Sequence, residues 1–185
     1  MKKIVLLIFV LMVLAQWFVP ARMIWNREEV LQKGKAFRFQ TQPVDPEDPF
    51  RGRYVQLSFR ADTAYAKDFQ GGENAYAEIE TDNAGYARIK QLHRNAPASV
   101  DYVEVKVYYR IFNNEKEVGE GRVLVEYPFQ QFFLDEYKAP EAENLYASFA
   151  RDSAQKTYAL VNIYKGKGVI KDLFINDKSI YSYFK

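Results

Sequence analysis

Three prolines, a glycine and a strand-like segment follow one another in residues 43–59, PVDPEDPFRGRYVQLSF. Each proline fixes its own φ, lacks an N–H donor and favours extended geometry in the residue before it. Residues 43–49 are therefore predicted to form a stiff, non-helical connector, and Gly52 permits a sharp turn after it. The side chains that follow alternate in the manner of a half-buried strand. Its apolar face carries Val55, Leu57 and Phe59.

Charged and aromatic side chains surround this strand. Two carboxylates and two guanidinium groups could hold a charged loop of a partner or a small anion. In the simpler alternative, which we favour, the carboxylates accept N–H bonds within the proline-rich turns and one arginine pairs with one of them. The residues concerned are Asp45, Asp48, Arg51, Arg53 and Tyr54.

The spacing Gly52-x-Tyr54-x-x-Leu57-x-aromatic resembles the GDYXXLXY family, which is named for this motif. Arg53 stands where the family name has Asp, and Phe59 replaces the final Tyr. Arg53 argues against any mechanism that needs an acid at its position. The resemblance extends over nearly the whole chain. It implies a membrane-anchored protein of the bacterial envelope, with no assigned biochemical activity and a polytopic membrane protein as its partner.

The composition fits one domain plus an anchor. The chain has 185 residues, and its 14 Tyr and 14 Phe favour half-buried pleated surfaces. Lys2, Lys3 and Arg22 account for more than the net charge of +2, so the remainder gives no reason to expect nucleic acid. The chain has no cysteine, which excludes disulfides, thiol catalysis and thiolate metal sites. We expect no cofactor.

The N-terminal residues are strongly apolar from Ile4 to Val19, after Lys2-Lys3. One interpretation is a cleaved signal peptide, because Val13 and Ala15 have the small-residue spacing that favours cleavage after Ala15. A buried core helix fits poorly with two lysines in front of it. The favoured prediction is an uncleaved anchor over residues 1–25, since continuation past Pro20 reaches the roughly 20 residues that a bilayer needs.

The orientation of this anchor is predicted from its signal-like start. An N-in topology would place the C-terminal domain outside the cytoplasm, in the periplasm. Positive charges lie on both sides of the apolar segment, so charge alone does not settle the topology. Asn26 followed by Glu29 has the spacing of a helix start, and Gly34 is suited to a helix end. A short juxtamembrane helix is thus predicted within residues 26–34.

Residues 35–185 are predicted to form a single mainly β domain, either an antiparallel barrel or a sandwich. Alternation is clearest over residues 101–112, and residues 122–127 should return antiparallel to them. Hairpins are expected over residues 76–90 and 157–175, whose turns contain Gly85 and Gly166. Residues 61–74 and 90–99 are predicted as loops, the aromatic cluster at residues 129–134 as core, and residues 140–150 as one short inserted helix.

Catalytic groups are few. Glu136 and Glu143 could form an acid/base pair or part of a cation site, but surface charges near the helix are the favoured interpretation. His93 is the only histidine and is predicted to be exposed and incidental. Ser58 would be the nucleophile of a signal-peptidase-like Ser/Lys dyad, although no Ser-Met-x-Pro arrangement accompanies it.

Two functions remain. The favoured hypothesis is a non-catalytic, membrane-anchored accessory subunit that binds a polytopic membrane protein through the proline-rich loop and the exposed face of the motif strand. The alternative is a membrane-anchored hydrolase based on Ser/Lys or on carboxylates. It predicts that Ser58 and a lysine, or Glu136 and Glu143, converge in one pocket.

Overall fold

The computed structural model describes residues 2–42, 54–66, 69–111, 121–135, 138–151 and 155–184. One long helix precedes a domain of antiparallel strands, and one short helix interrupts the strands. The elements are α1 (Lys2–Lys33), β1 (Lys35–Gln42), β2 (Tyr54–Gln56), β3 (Ser58–Phe59), β4 (Thr63–Ala66), β5 (Asn74–Thr81), β6 (Ala87–His93), β7 (Tyr102–Ile111), β8 (Gly121–Glu126), β9 (Gln131–Phe133), α2 (Ala139–Arg151), β10 (Thr157–Tyr164), β11 (Lys167–Ile175), β12 (Lys178–Ser179) and a 3₁₀ turn (Ile180–Tyr183).

The helix α1 is continuous through Pro20, and the segment predicted as a separate juxtamembrane helix forms its last two turns. An 18-residue apolar stretch of this helix has a mean hydropathy of 2.6, and none of the stretch is buried. The helix is therefore long and apolar enough to cross a membrane. A signal sequence meets the same criteria of length and composition.

The last turn of α1 contacts β10, which is distant from it in the sequence. Val30 is buried, and the Asn162 side chain donates from Nδ2 to the Leu31 carbonyl at 2.8 Å. That bond satisfies one of the carbonyls that a helix end leaves free. The helix ends at Lys33, directly before Gly34, as predicted. Glycine is needed at position 34 because a Cβ there would lie 2.3 Å from the Val30 carbonyl oxygen and 3.1 Å from Asn162 Cβ.

Over the described residues, the domain consists of two five-stranded antiparallel sheets and one two-stranded ribbon. The first sheet has the order β12-β11-β10-β1-β3, the second β4-β8-β7-β5-β6, and the ribbon joins β2 to β9. The second sheet curls, so that its outer strands β4 and β6 approach each other. A parallel bridge between Val103 and Gly166 links the two sheets. The result is a nearly closed, barrel-like antiparallel fold, and the mainly β prediction is confirmed.

One hydrophobic cluster fills the space between the sheets. At its centre, four aromatic rings meet with centroids 5.1 to 5.7 Å apart, mostly edge to face, the arrangement that aromatic pairs prefer. These rings belong to Phe39, Phe59, Tyr127 and Phe129. Val55, Leu57 and Phe59 are all buried, which confirms the predicted inner face of the motif strand.

The predicted strands with clear alternation are confirmed. The hairpin of β10 and β11 turns through only Lys165 and Gly166, both at positive φ (47° and 79°), so β11 begins directly after the turn, at Lys167. Residues 61–74 were predicted as a loop but contain β4, whose alternating Ala64 and Ala66 are too small to give a strong apolar pattern. The loop prediction for residues 90–99 is wrong at its start, because β6 continues to His93.

Candidate interaction surface

The motif strand is divided between two sheets. Its first part, β2, pairs antiparallel with β9, and its second part, β3, pairs with the end of β1. Between the two parts, Leu57 N–H donates to the Gln130 carbonyl at 2.8 Å. The motif therefore connects the ribbon of β2 and β9 to the first sheet, while its apolar face is part of the core.

The other face of the ribbon carries an aromatic pair. Tyr54 lies opposite Phe133 in the β2–β9 register, and their ring centroids are 5.7 Å apart. Phe133 is 53% exposed, whereas the preceding residue of the strand, Phe132, is buried. Phe133 was predicted to belong to the core, and this prediction is wrong because residues 131–133 form a strand whose alternate side chains face outward. We call Tyr54 and Phe133 the aromatic pair.

The helix α2 supports the ribbon and approaches both β2 and β1. It covers nearly the predicted range, and Ala142 and Tyr146 are buried among its described side chains. The Tyr146 hydroxyl bonds to Thr41 Oγ1, which donates in turn to Thr157 Oγ1 at 2.9 Å. Burial raises the pKa of Tyr146, so its hydroxyl stays protonated and links α2 to β1 and β10.

A groove of about 660 Å³ opens beside the ribbon, between residues 126–133, the start of β11 and the α1 residues Asn26 and Arg27. We call it the α1 groove. Its lining includes buried apolar side chains and exposed charged ones. The buried members are Tyr127, Phe129 and Ile170, and the exposed charged members are Arg27, Glu104, Glu126 and Lys167.

Several predicted site residues lie outside the described part of the chain. These are Asp45, Asp48, Arg51, Gly52, Arg53 and Glu136. The backbone of Glu143 belongs to α2, but its side chain is also outside the described set. Of the remaining motif residues, Leu57 and Phe59 are core residues, and Tyr54 contributes to the aromatic pair.

The single histidine has a partner. His93 Nε2 lies 2.9 Å from the Glu78 carboxylate, which also accepts from Lys90 Nζ at 2.8 Å. The prediction of an exposed His93 is therefore wrong: it is half-buried at the end of β6, beside a buried carboxylate on β5. The hydrogen bond from Lys90, and then that from His93, lower the pKa of Glu78. This cluster was missed because Glu78 is 12 positions from Lys90 and 15 positions from His93 in the sequence.

The candidate catalytic serine is hydrogen-bonded to a glutamine. Ser58 Oγ accepts a hydrogen bond from Gln42 Nε2 at 2.8 Å, and no lysine bonds to it among the described residues. Within the same residues, no group of three or more His, Asp or Glu side chains could hold a metal ion.

Fold and sequence together define a class: a mainly β, barrel-like domain attached directly to one N-terminal helix that is long and apolar enough to span a membrane. A profile of the family described as GDYXXLXY protein matches residues 16–173. The chain therefore belongs to the GDYXXLXY family. No curated protein and no solved structure matches the chain.

Proposed function

We propose that this protein is a non-catalytic, membrane-anchored accessory subunit whose β domain lies outside the cytoplasm and binds a polytopic membrane protein. The observation that carries the proposal is the difference between the two faces of the motif strand. One face of the strand is buried in the core, while Tyr54 on the other face pairs with the exposed Phe133. Exposed aromatic side chains on a rigid support are typical of interface hot spots.

The architecture around the aromatic pair supports a binding role. Among the described residues, β2 and β9 pair only with each other, so no further strand pairs with the outer edges of the ribbon. The helix α2 and the Leu57 N–H bond to Gln130 hold the ribbon in place. A surface that is already ordered loses little conformational entropy when it binds. The proline-rich connector leads directly into this ribbon and is proposed to contribute to the same interface.

The test is recovery of a partner from the native membrane. Full-length tagged protein would be purified in mild detergent, and co-purifying proteins identified and quantified by mass spectrometry. We expect a stoichiometric polytopic partner with the wild type. Tyr54→Ala and Phe133→Ser should each lower its recovery by about tenfold or more, the effect of removing an interface hot spot.

Tyr65→Ala is the matched control, because Tyr65 is 78% exposed but lies on β4 in the other sheet. It should leave partner recovery unchanged. Thermal unfolding of each variant would show that the fold is retained. Absence of any polytopic partner, or equal recovery with all three variants, would refute the proposal. In that case the hydrolase hypothesis would be examined by substituting Ser58, Glu136 and Glu143.

A further inference from the structure

In the described part of the chain, the first half of β11 has a free backbone edge. Lys165 and Gly166 form a two-residue turn with both φ values positive, the type I′ geometry that makes Tyr164 and Lys167 a hydrogen-bonded pair. Hydrogen-bonded and non-hydrogen-bonded pairs alternate along an antiparallel ladder. Gly168 and Ile170 are therefore in non-hydrogen-bonded pairs, and their N–H and C=O groups point away from β10. The neighbour on that side, β12, reaches only Phe174 and Ile175. Within the described residues, no strand pairs with this edge.

The free edge lines the α1 groove. The groove is apolar where the core side chains reach it, at Tyr127, Phe129 and Ile170. The backbone of Gly168 packs directly against the Phe129 ring, and a Cβ at this position would lie only 2.3 Å from Phe129 Cε1. An added strand could therefore form backbone hydrogen bonds with β11 along one edge and pack one of its faces on the apolar part of the groove.

The exposed charged side chains of the groove have both signs. Arg27 and Lys167 are contributed by α1 and β11, and Glu104 and Glu126 by β7 and β8. In a strand, successive side chains point to opposite faces. A segment with alternating apolar and charged residues would place its apolar side chains on the buried surface and its charges of both signs among the exposed groups.

The groove also has a defined position along α1. Asn26 and Arg27 lie directly after Trp25, where the apolar part of the helix ends. The β10–β11 hairpin is fixed to the same helix through the bond from Asn162 to Leu31. With α1 in a bilayer, the groove would lie close to the membrane surface, at the level where a chain segment of a membrane-embedded protein leaves the bilayer.

We propose that the free edge of β11 binds an extended segment of a membrane-embedded partner as an added strand, in which apolar and charged residues alternate. This inference rests on the proposed function, because it names the second contact of the same partner. Main-chain hydrogen bonds from Gly168 and Ile170 provide affinity, and the alternating side chains provide specificity.

Amide hydrogen exchange tests the inference directly. The free full-length protein and the complex purified from native membranes would be compared by mass spectrometry with fragmentation that resolves residues 167–171. We expect fast exchange at Gly168 and Ile170 in the free protein and at least about tenfold slower exchange in the complex. The Val169 amide is the internal control, because it pairs with β10 at Asn162 and should be protected in both samples.

The outcomes separate this inference from the function on which it rests. If a partner co-purifies but Gly168 and Ile170 gain no protection, the added strand is refuted while the proposed function stands. If no partner co-purifies, the proposed function itself fails. If the protein alone in lipid nanodiscs already shows the protection, a lipid or a second copy occupies the edge and the inference is overturned.

A charge variant gives a second test. Arg27→Glu combined with Lys167→Glu makes the described charged groups of the groove uniformly acidic, and we expect partner recovery to fall about tenfold through loss of electrostatic complementarity. Lys171→Glu is the matched control, since this exposed lysine is also on β11 but outside the groove. Equal recovery for the double variant and the control would count against the proposed site.

Discussion

At the scale of single residues, Glu78 shows how partners distant in sequence determine whether a carboxyl group is charged. It is only 7% exposed, yet it stays charged because Lys90 and His93 on the neighbouring strand donate to its two carboxylate oxygens. These contacts lower its pKa below the usual value of 4.5. A carboxyl group whose pKa is lower in the folded state stabilises the fold above its unfolded pKa, and this contribution is lost as the pH falls through the folded value.

We therefore expect Glu78→Gln to change the acid limb of the stability profile. Wild-type protein should lose thermal stability as the pH falls below about 4.5, while the variant should have a lower melting temperature at pH 7 and a flatter profile below pH 4.5. Thermal unfolding of the full chain in detergent between pH 3 and 7 measures this.

The control for this variant is Glu80→Gln on the same strand. Glu80 pairs with Arg88 at the surface, and exposed ion pairs contribute little to stability. Its pH profile should follow that of the wild type. Parallel acid limbs for wild type and Glu78→Gln would show that the Glu78 cluster does not stabilise the fold.

At the scale of elements, the junction between α1 and β10 determines how the domain is held on its helix. The contact consists of the buried Val30, the closely approached Gly34 and the hydrogen bond from Asn162 to the Leu31 carbonyl. Asn162 is itself 5% exposed. A buried polar side chain of this kind is favourable only while its hydrogen bond is made, so Asn162 specifies one arrangement of helix and hairpin.

We expect Asn162→Ala to destabilise this junction by about 1 kcal/mol, the net contribution of one hydrogen bond. The last turn of α1 should then exchange its amide hydrogens faster, which mass spectrometry of peptides covering residues 30–36 would detect. Asn74→Ala provides the comparison, because Asn74 is exposed at the start of β5. If exchange in residues 30–36 is the same in both variants, the Asn162 bond does not fix the helix.

At the scale of the whole molecule, the domain is closed by contacts between distant parts of the chain. β1 follows α1 directly but pairs with β10, so residues 35–40 lie beside residues 158–163. The apolar part of α1 is left outside this domain and is not covered by it. An uncovered apolar helix of this length is stable in a bilayer, where its own backbone bonds satisfy every polar group.

We expect the mature protein to keep residues 1–25 and to expose its β domain outside the cytoplasm. The chain has no cysteine, so Lys171→Cys introduces one labelling site, at an exposed position of β11. A membrane-impermeant maleimide should label this variant in spheroplasts without permeabilisation, and Lys3→Cys should require permeabilisation. Intact mass of the membrane fraction measures retention of the helix. A soluble protein beginning at residue 16 would establish cleavage, and the reverse labelling pattern would overturn the orientation.

The sequence by itself determined the local features of this protein. Two-residue alternation identified the motif strand and β7, turn residues identified the hairpins at Gly85 and Gly166, and the apolar start identified α1. These features depend on interactions between residues close in the chain, which is why they can be read from spacing. The inner face of the motif strand and the position of α2 were predicted for the same reason.

Only the tertiary structure decided which strands are neighbours and which side chains remain at the surface. β4 and β9 have weak local patterns and are strands because β8 and β2 supply their backbone partners. The exposure of Phe133 and the charge of Glu78 likewise depend on partners far away in sequence. Strands pair in the arrangement that buries their apolar faces in one common core. The free energy of forming that core depends on contacts between residues from the whole chain, so short stretches of sequence do not reveal it.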